Sequence, residues 1–484
     1  MHASAEPSPS SGGDIYVDLD GTLSRTDTFL ESLLRVVRRK PFTALRILAL
    51  ALKDKAGAKT LAAFHDRRAS DRLAYHEGLL QYLHEQKAAG RSITLATASH
   101  WTVARRVARR HLGLFDAVIA STRRNNLKGV HKLASIHARA EGAPFCYAGD
   151  SHADAPIWAA AGAGVYVNAP GVLVRRAQAS GSAERVFTGD RPLWRELLRA
   201  ARPHQWAKNL LVFVPLITSH SYTSLSAIGC SILAFVSISL CASGVYVLND
   251  LTDIDADRQH PKKRFRPIAS GAVPIATAVA VVAAFAAGAV LVGALIPHPW
   301  FLACLASYAV TTTAYSFFIK RKAVADVITL AGLYTLRMVA GAAAISVAIS
   351  FWLIAFSMFF FLGLAYVKRF AELREARTEQ LPGRGYGRSD ADTVFTMGVA
   401  SGYASVIVFA LYINSDQVTL EYSTPQLLWF MGAAQLYWVN RIWMKARRGL
   451  MDQDPILFAL RDRQSLACVL FCGLVLMAAR LIQL

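Results

Sequence analysis

Cysteine is scarce and patternless. There are six among 484 residues, Cys230, Cys241, Cys304, Cys468 and Cys472 inside apolar runs and Cys146 outside them, with no CxxC spacing. A disulfide framework and a structural zinc site are thereby excluded. Acidic residues are in deficit, 33 Asp and Glu against 53 Lys and Arg, for a formal net charge of +20. Such an excess fits a nucleic acid or a membrane surface, and its placement decides between them. Up to about residue 205 no apolar run is long enough to span a bilayer. The opening MHASAEPSPSSGG lacks an apolar core between a basic end and a small-residue cleavage site. Residues 1–12 therefore read as a disordered leader and not as a signal peptide.

Beyond that point the chain turns apolar. Nine runs, near 208–220, 224–248, 273–296, 299–319, 324–345, 348–367, 393–413, 425–443 and 465–482, approach spanning length, although the first is short. The linkers between them sort by charge. Arg258 to Arg266, Lys320 to Lys322, Lys368 to Arg388 and Lys445 to Arg463 fall on one side, and SHSYTSLS, PHP, SVAIS and NSDQVTLEYSTP on the other. The positive-inside rule then predicts a multi-pass protein of the cytoplasmic (inner) membrane, with the basic loops and the whole N-terminal region in the cytoplasm and Leu484 outside. The membrane is the expected partner, and nucleic acid is not.

Between the second and third runs stands Asn249-Asp250-Leu251-Thr252-Asp253-Ile254-Asp255-Ala256-Asp257, followed by Lys262, Lys263, Arg264 and Arg266. Carboxylates at a membrane boundary are costly unless they bind something. Asp250, Asp253 and Asp257 are spaced three and four apart, so on a helix end they share one face and can jointly hold a hard cation such as Mg²⁺. Asp255 lies off that face and is expected to be solvated. Carboxylates beside Lys262 and Arg266 read as a magnesium–diphosphate site, with Asn249 orienting it. Arg337, inside an apolar run, must face a polar interior and is a further candidate for substrate binding.

The N-terminal region carries a separate chemistry. Ile15-Tyr16-Val17 reads as a buried strand ending in Asp18-Leu19-Asp20-Gly21-Thr22-Leu23. Two carboxylates spaced two apart at a strand end point the same way, and the glycine allows a sharp turn around a phosphate. Ser92 to Ala96 is a second strand delivering Thr97, Asn126-Leu127-Lys128-Gly129 supplies a lysine, and Gly149-Asp150 with Asp154 gives an acid pair. This set, in this order, resembles the haloacid dehalogenase (HAD) superfamily of phosphatases. The resemblance implies Asp18 as nucleophile, Asp20 as general acid and then base, and Thr97 and Lys128 neutralising phosphate charge, with Lys132 the rival lysine. It also implies Mg²⁺ held by Asp18, Asp150 and the backbone carbonyl of Asp20, with Asp154 in support. Residues 24–90 read as a small helical cap, and Pro192 to Arg199 as a short amphipathic helix suited to a membrane surface.

The membrane half resembles the UbiA superfamily of intramembrane prenyltransferases, through its nine apolar runs, the NDxxDxxxD run after the second, and Tyr315, Ser316, Lys320 and Asp326. Such enzymes carry a second aspartate-rich motif after the sixth span. Here that loop reads Tyr366-Val367-Lys368-Arg369-Phe370-Ala371-Glu372-Leu373-Arg374-Glu375, whose Lys368 and Arg369 are placed to bind an anionic substrate. RPHQWAKN, NDLTDIDADRQHPKKRFRPIASG and KRFAELR are similar to the decaprenyl-phosphate phosphoribosyltransferase branch of that superfamily.

The resemblance implies transfer of 5-phosphoribose from 5-phosphoribosyl 1-diphosphate to a polyprenyl phosphate, after which the HAD domain removes the 5-phosphate. The alternative is a prenyltransferase moving a polyprenyl chain from its diphosphate to an aromatic acceptor, beside an unrelated phosphatase. The expected architecture is a leader, 1–12; an α/β HAD domain with a Rossmann-like sheet, 13–185; a linker and interfacial helix, 186–205; and an all-α membrane bundle of nine helices, 206–484.

Overall fold

A computed structural model describes residues 13–66, 73–123, 125–189, 191–376, 378–381, 383–415, 418, 422–451 and 454–482; the expected leader lies outside the described residues. The chain forms two compact units, Met1–Ala201 with Tyr246–Val281, and Arg202–Val245 with Val282–Leu484. The segment bearing the aspartate-rich run therefore clusters with the N-terminal region.

The first unit is built on a six-stranded parallel sheet in the order β3-β2-β1-β4-β5-β6. The strands are β1 (Asp14–Val17), β2 (Ile93–His100), β3 (Ala117–Ser121), β4 (Phe145–Gly149), β5 (Ala163–Val167) and β6 (Ala183–Phe187). Ile15, Tyr16 and Val17 of central β1 are all fully buried, as a parallel strand covered on both faces requires. Ile15 and Val17 join Leu79, Leu83, Leu95 and Val103 on one face. Tyr16 joins Ile136, Phe145, Tyr147 and Trp158 on the other. Because β1 pairs with β2 and β4 in parallel, Val17 opposite Leu95 and Ala148, the carboxyl ends of three strands meet at one edge. That edge is where open α/β sheets bind ligands.

Three helices, Thr28–Arg39, Pro41–Lys53 and Lys55–His65, form the cap around Leu33, Val36, Ala44, Ile47, Ala58 and Ala62. Asp27 caps the first by accepting from Phe29 N and Leu30 N, and Asp54 caps the third through Gly57 N. The cap is shorter than the expected 24–90. Helix Glu77–Ala88 packs Leu79, Tyr82 and Leu83 into the sheet's own core.

Among the described residues, seven helices are long and apolar enough to cross a membrane: Leu225–Thr252, Ile275–Ala294, Trp300–Arg321, Ala325–Ala344, Phe351–Glu375, Arg388–Ile413 and Arg463–Leu481. The expectation of a multi-helix membrane unit is met, with seven of the nine expected spans in this form. The first apolar run folds as a 3-10 segment, Pro203–Phe213, and a five-residue helix, Val214–Thr218. Its polar groups explain why: Asn209 donates to Ser239 Oγ at 2.9 Å, and Lys208 pairs with Asp454. The eighth run becomes helix Trp429–Arg447, which contains Arg441, Lys445 and Arg447; Arg441 and Lys445 pair with Asp462 at 2.6 and 3.0 Å.

Small residues set the closest approaches in the second unit, as in other membrane bundles. A Cβ on Gly363 would meet Gly402 N at 3.3 Å, and one on Gly341 would meet Val212 O at 2.1 Å. Gly341→Ala is thus expected to force the 3-10 segment away and lower the thermal-inactivation midpoint of the detergent-solubilised chain by several degrees. Gly332→Ala, where a Cβ meets nothing within 4 Å among the described residues, is expected to leave it unchanged.

Candidate active sites

Asp18 follows β1 directly, and Asp150 follows β4. Asp18 Oδ1 accepts Leu19 N at 2.8 Å, and its Oδ2 lies 2.8 Å from Lys132 Nζ. Lys132 sits in the first turn of helix Val130–Ala140, is 2% exposed, and reaches Tyr147 Oη at 2.8 Å and Asp154 Oδ1 at 3.5 Å. Asp154 accepts from Tyr147 Oη (2.7 Å), Ser151 Oγ (2.9 Å) and Ser151 N (3.2 Å), so it is held by neighbours on both oxygens. Asp18, Asp150 and Asp154 each offer an oxygen within 4.8 Å of the others, the only such carboxylate trio among the described residues. Gly21 makes this possible: its φ is +80°, and a Cβ there would lie 2.1 Å from Asp150 Oδ2.

Burial first, then the neighbouring carboxylates, pushes Asp18 up to about 6 against the opposing pull of Lys132. The same causes push Asp150 up to about 7. Carboxylates crowded to that degree fit a hard divalent cation, and Mg²⁺ at Asp18 and Asp150 would stabilise their charged forms. Asp20 stands apart from the trio, accepting Thr28 N at 2.8 Å and Ser99 Oγ at 2.5 Å.

Two placements differ from expectation. Lys128 is exposed on the loop before the helix, so the lysine at Asp18 is Lys132. Thr97 is fully buried within β2, three residues before its end, where its Oγ1 accepts Ser99 N at 3.0 Å. Ser99 was missed altogether. It stands two positions beyond Thr97 on the same strand face, a period-two signal that the sequence carried.

At the aspartate-rich run, helix Leu225–Thr252 breaks at Asp253 and resumes as Ile254–Gln259. Asp250 and Asp257 are 2% and 3% exposed, and Arg266 Nη1 lies between them at 3.1 and 2.6 Å. Burial raises the Asp257 carboxyl, with Arg266 opposing. Asp253 is more open and lies 4.0 Å from Arg38 Nη1. Asn249 Oδ1 is buried without a hydrogen-bond partner among the described residues, and Lys262 is exposed.

Asp255 is not solvated, contrary to expectation. It accepts from Arg35 Nε at 2.9 Å and Nη2 at 2.9 Å, and Arg35 also pairs with Glu31 (2.7 Å) and Asp66 (2.9 Å). Arg258 bonds Glu31 at 2.8 Å and the Ala269 carbonyl at 2.8 Å. A buried ionic network thus joins the first cap helix to the aspartate-rich segment.

In the second unit the expected substrate cations are engaged by protein. Arg337 donates to Asn209 Oδ1 (2.8 Å), Leu333 O (2.7 Å) and Tyr308 Oη (2.8 Å). Arg369, fully buried, pairs with Asp326 at 2.5 Å and with Glu372, while Tyr386 Oη donates to Asp326 at 2.7 Å. Arg369 is thus engaged by two carboxylates of the same unit. Lys368 is half-buried; with Lys208 it holds the Asp454 carboxyl below the usual range, against the upward push of burial.

Residues 211–451 match the UbiA prenyltransferase family, and residues 15–158 match the haloacid dehalogenase-like hydrolases. The chain is 34% identical over 458 residues to an uncharacterized protein, y4nM, of Sinorhizobium fredii, covering 93% of this chain and 88% of that one. It is 36% identical over 279 residues to the nodulation protein NoeC of Azorhizobium caulinodans, covering 56% of this chain and 89% of that one. A decaprenyl-phosphate phosphoribosyltransferase of Mycobacterium tuberculosis is 37% identical over 186 residues, covering 37% of this chain and 61% of that one.

The two lysines are separable by assay. Lys132→Ala is expected to lower phosphomonoester hydrolysis by about a hundredfold or more, since it strips the counter-charge from a buried carboxylate. Lys128→Ala is expected to change it by less than about threefold. In magnesium-free protein the native state binds more protons than the unfolded chain between the ordinary 3.8 of the two aspartates and their values of about 6 and about 7. Stability of the first unit therefore falls as pH rises through that window, and magnesium, which binds the charged form, offsets the fall. Melting curves with chelator at about pH 4 and about pH 7 should show the lower midpoint at the higher pH, and added magnesium should narrow the difference.

Proposed function

We propose, for a chain that belongs to the UbiA prenyltransferase family and carries a haloacid dehalogenase-like hydrolase domain ahead of it, transfer of 5-phosphoribose from 5-phosphoribosyl 1-diphosphate to a polyprenyl phosphate, followed by removal of the 5-phosphate. The observation that carries this reading is Arg266 set between buried Asp250 and Asp257, in the region matched by the UbiA family, in a chain with phosphoribosyltransferase relatives. A cation shared by two carboxylates at a membrane boundary is the arrangement a metal-bound diphosphate would take over, freeing the guanidinium for a phosphate oxygen.

In the first step an oxygen of the lipid phosphate forms the bond to ribose C1 as the C1–O bond to diphosphate breaks, and diphosphate leaves with the electron pair. Asp250, Asp253 and Asp257 would hold the metal that neutralises the diphosphate, Asn249 orients the diphosphate, and Arg266 and Lys262 meet its oxygens. Mg²⁺ supplies charge neutralisation of the leaving group here and of the phosphoryl oxygens at Asp18 and Asp150. In the second step Asp18 attacks phosphorus while the ribose 5-oxygen departs with a proton from Asp20. Asp20 then takes a proton from water, whose oxygen attacks the aspartyl-phosphate and releases inorganic phosphate. Lys132 balances the Asp18 charge, and Thr97 and Ser99 flank the site. Both sites face the cytoplasm of an inner membrane in this reading, the side to which the basic linkers assign them.

Mass spectrometry of lipids made by the purified protein from polyprenyl phosphate, Mg²⁺ and 5-phosphoribosyl 1-diphosphate tests the sequence of steps. Wild type is expected to give polyprenyl-phosphoryl ribose, Asp18→Asn its 5-phosphorylated form, and Asp250→Ala neither. No ribosylated lipid from wild type, together with prenylation of an aromatic acceptor from a polyprenyl diphosphate, would replace this reading by the aromatic one.

A further inference from the structure

The phosphatase carboxylates Asp20 and Asp150 line a cavity of about 940 Å³ that a pentose phosphate alone falls far short of filling. The same cavity is lined by Phe265, Pro274 and Ile275, and Ile275 opens the apolar helix Ile275–Ala294, one of the seven long enough to cross a membrane. It therefore joins a phosphoryl-transfer site to the first turn of a membrane helix.

Its cations are not equivalent. Arg199 pairs with Glu196 at 2.7 Å, and Arg191 lies 3.8 Å from the same carboxylate. Arg25 also lines the cavity, and its buried Nε has no hydrogen-bond partner among the described residues. The backbone fixes its position, Arg25 N donating to Ala74 O at 2.8 Å. The loop at Gly271 closes directly on it: φ there is +76°, and a Cβ would lie 2.6 Å from Arg25 Cβ. Among the described residues no carboxylate pairs with Arg25, which leaves an uncompensated cation at the cavity wall for an anionic ligand.

We propose that this cavity is the headgroup site for a lipid-linked sugar phosphate. The phosphomonoester lies at Asp18, Asp20 and Asp150, the phosphodiester joining sugar to lipid lies on Arg25, and the first isoprene units lie against Phe265, Pro274 and Ile275. This rests on the function proposed above and deepens it, since it makes the phosphatase selective for a membrane lipid over a soluble sugar phosphate. Arg25 is then a specificity residue of the hydrolysis step that the family motifs do not include.

The test compares phosphate release by the full-length protein in detergent from ribose 5-phosphate and from farnesyl-phosphoryl 5-phosphoribose. Wild type is expected to favour the isoprenoid substrate by about tenfold or more in kcat/KM, the worth of one charge-assisted hydrogen bond. Arg25→Ala should bring that ratio close to unity, mainly through KM. Ala272→Trp, which fills the cavity from an exposed position, should do the same without touching a charge. Equal use of the two substrates by wild type, or equal losses on both in the variants, would overturn the headgroup site and leave the proposed order of reactions standing. Hydrolysis of neither substrate would overturn the site and the phosphatase step together.

Discussion

Glu31 is fully buried in the first cap helix and is held by two arginines from different parts of the chain, Arg35 of its own helix and Arg258 of the aspartate-rich segment. Arg35 in turn holds Asp66 and Asp255. Buried charges of this kind are costly unless every partner is present, and deleting one costs about 3–5 kcal/mol because it strands the others. The network therefore acts less as a source of net stability than as a register. It admits one placement of the aspartate-rich segment relative to the cap, and it explains why residues 246–281 cluster with the hydrolase-like unit. Asp255 faces the cap arginine, while Asp250 and Asp257 face Arg266. One short segment thus divides its carboxylates between holding itself in place and presenting a site.

The two sites share an electrostatic logic and differ in how the charge is balanced. At Asp18, Asp150 and Asp154 three carboxylates converge with one lysine, and burial, followed by the excess of negative charge, raises Asp18 and Asp150 well above their ordinary range. At Asp250 and Asp257 one arginine bridges two carboxylates. The first carries an excess of negative charge, whereas in the second Arg266 already balances part of it. In the proposed reaction sequence, carrying both sites on one chain would keep a poorly soluble lipid intermediate near the second site, an effective-concentration gain that needs no new contact.

Much of this was legible in the sequence because both chemistries need fixed residue types at fixed spacing. The strand before Asp18, the acid pair Asp150 and Asp154, the cap helices, the amphipathic helix now placed at Leu193–Ala201 and the long apolar helices all follow from local pattern. What escaped was set by tertiary geometry. Lys132 rather than Lys128 reaches Asp18 because the helix starts after Gly129 and turns its first-turn side chain inward. Asp255 looked solvated because its partner, Arg35, lies 220 residues away in sequence. The partners of Arg369, Asp326 and Glu372, are likewise set by tertiary placement, Asp326 lying 43 residues away in sequence. The first apolar run folds as a 3-10 segment and a short helix, and its polar residues Lys208 and Asn209 bond to Asp454 and Ser239 within the unit.

The most direct test of the account follows one atom. Purified protein would be given polyprenyl phosphate, Mg²⁺ and 5-phosphoribosyl 1-diphosphate labelled only at the 5-phosphate, with the label tracked over time between lipid and water phases. Label that enters the lipid first and then leaves it as inorganic phosphate is the expected course. Label that stays in the water phase throughout, in protein active toward another acceptor, would contradict it.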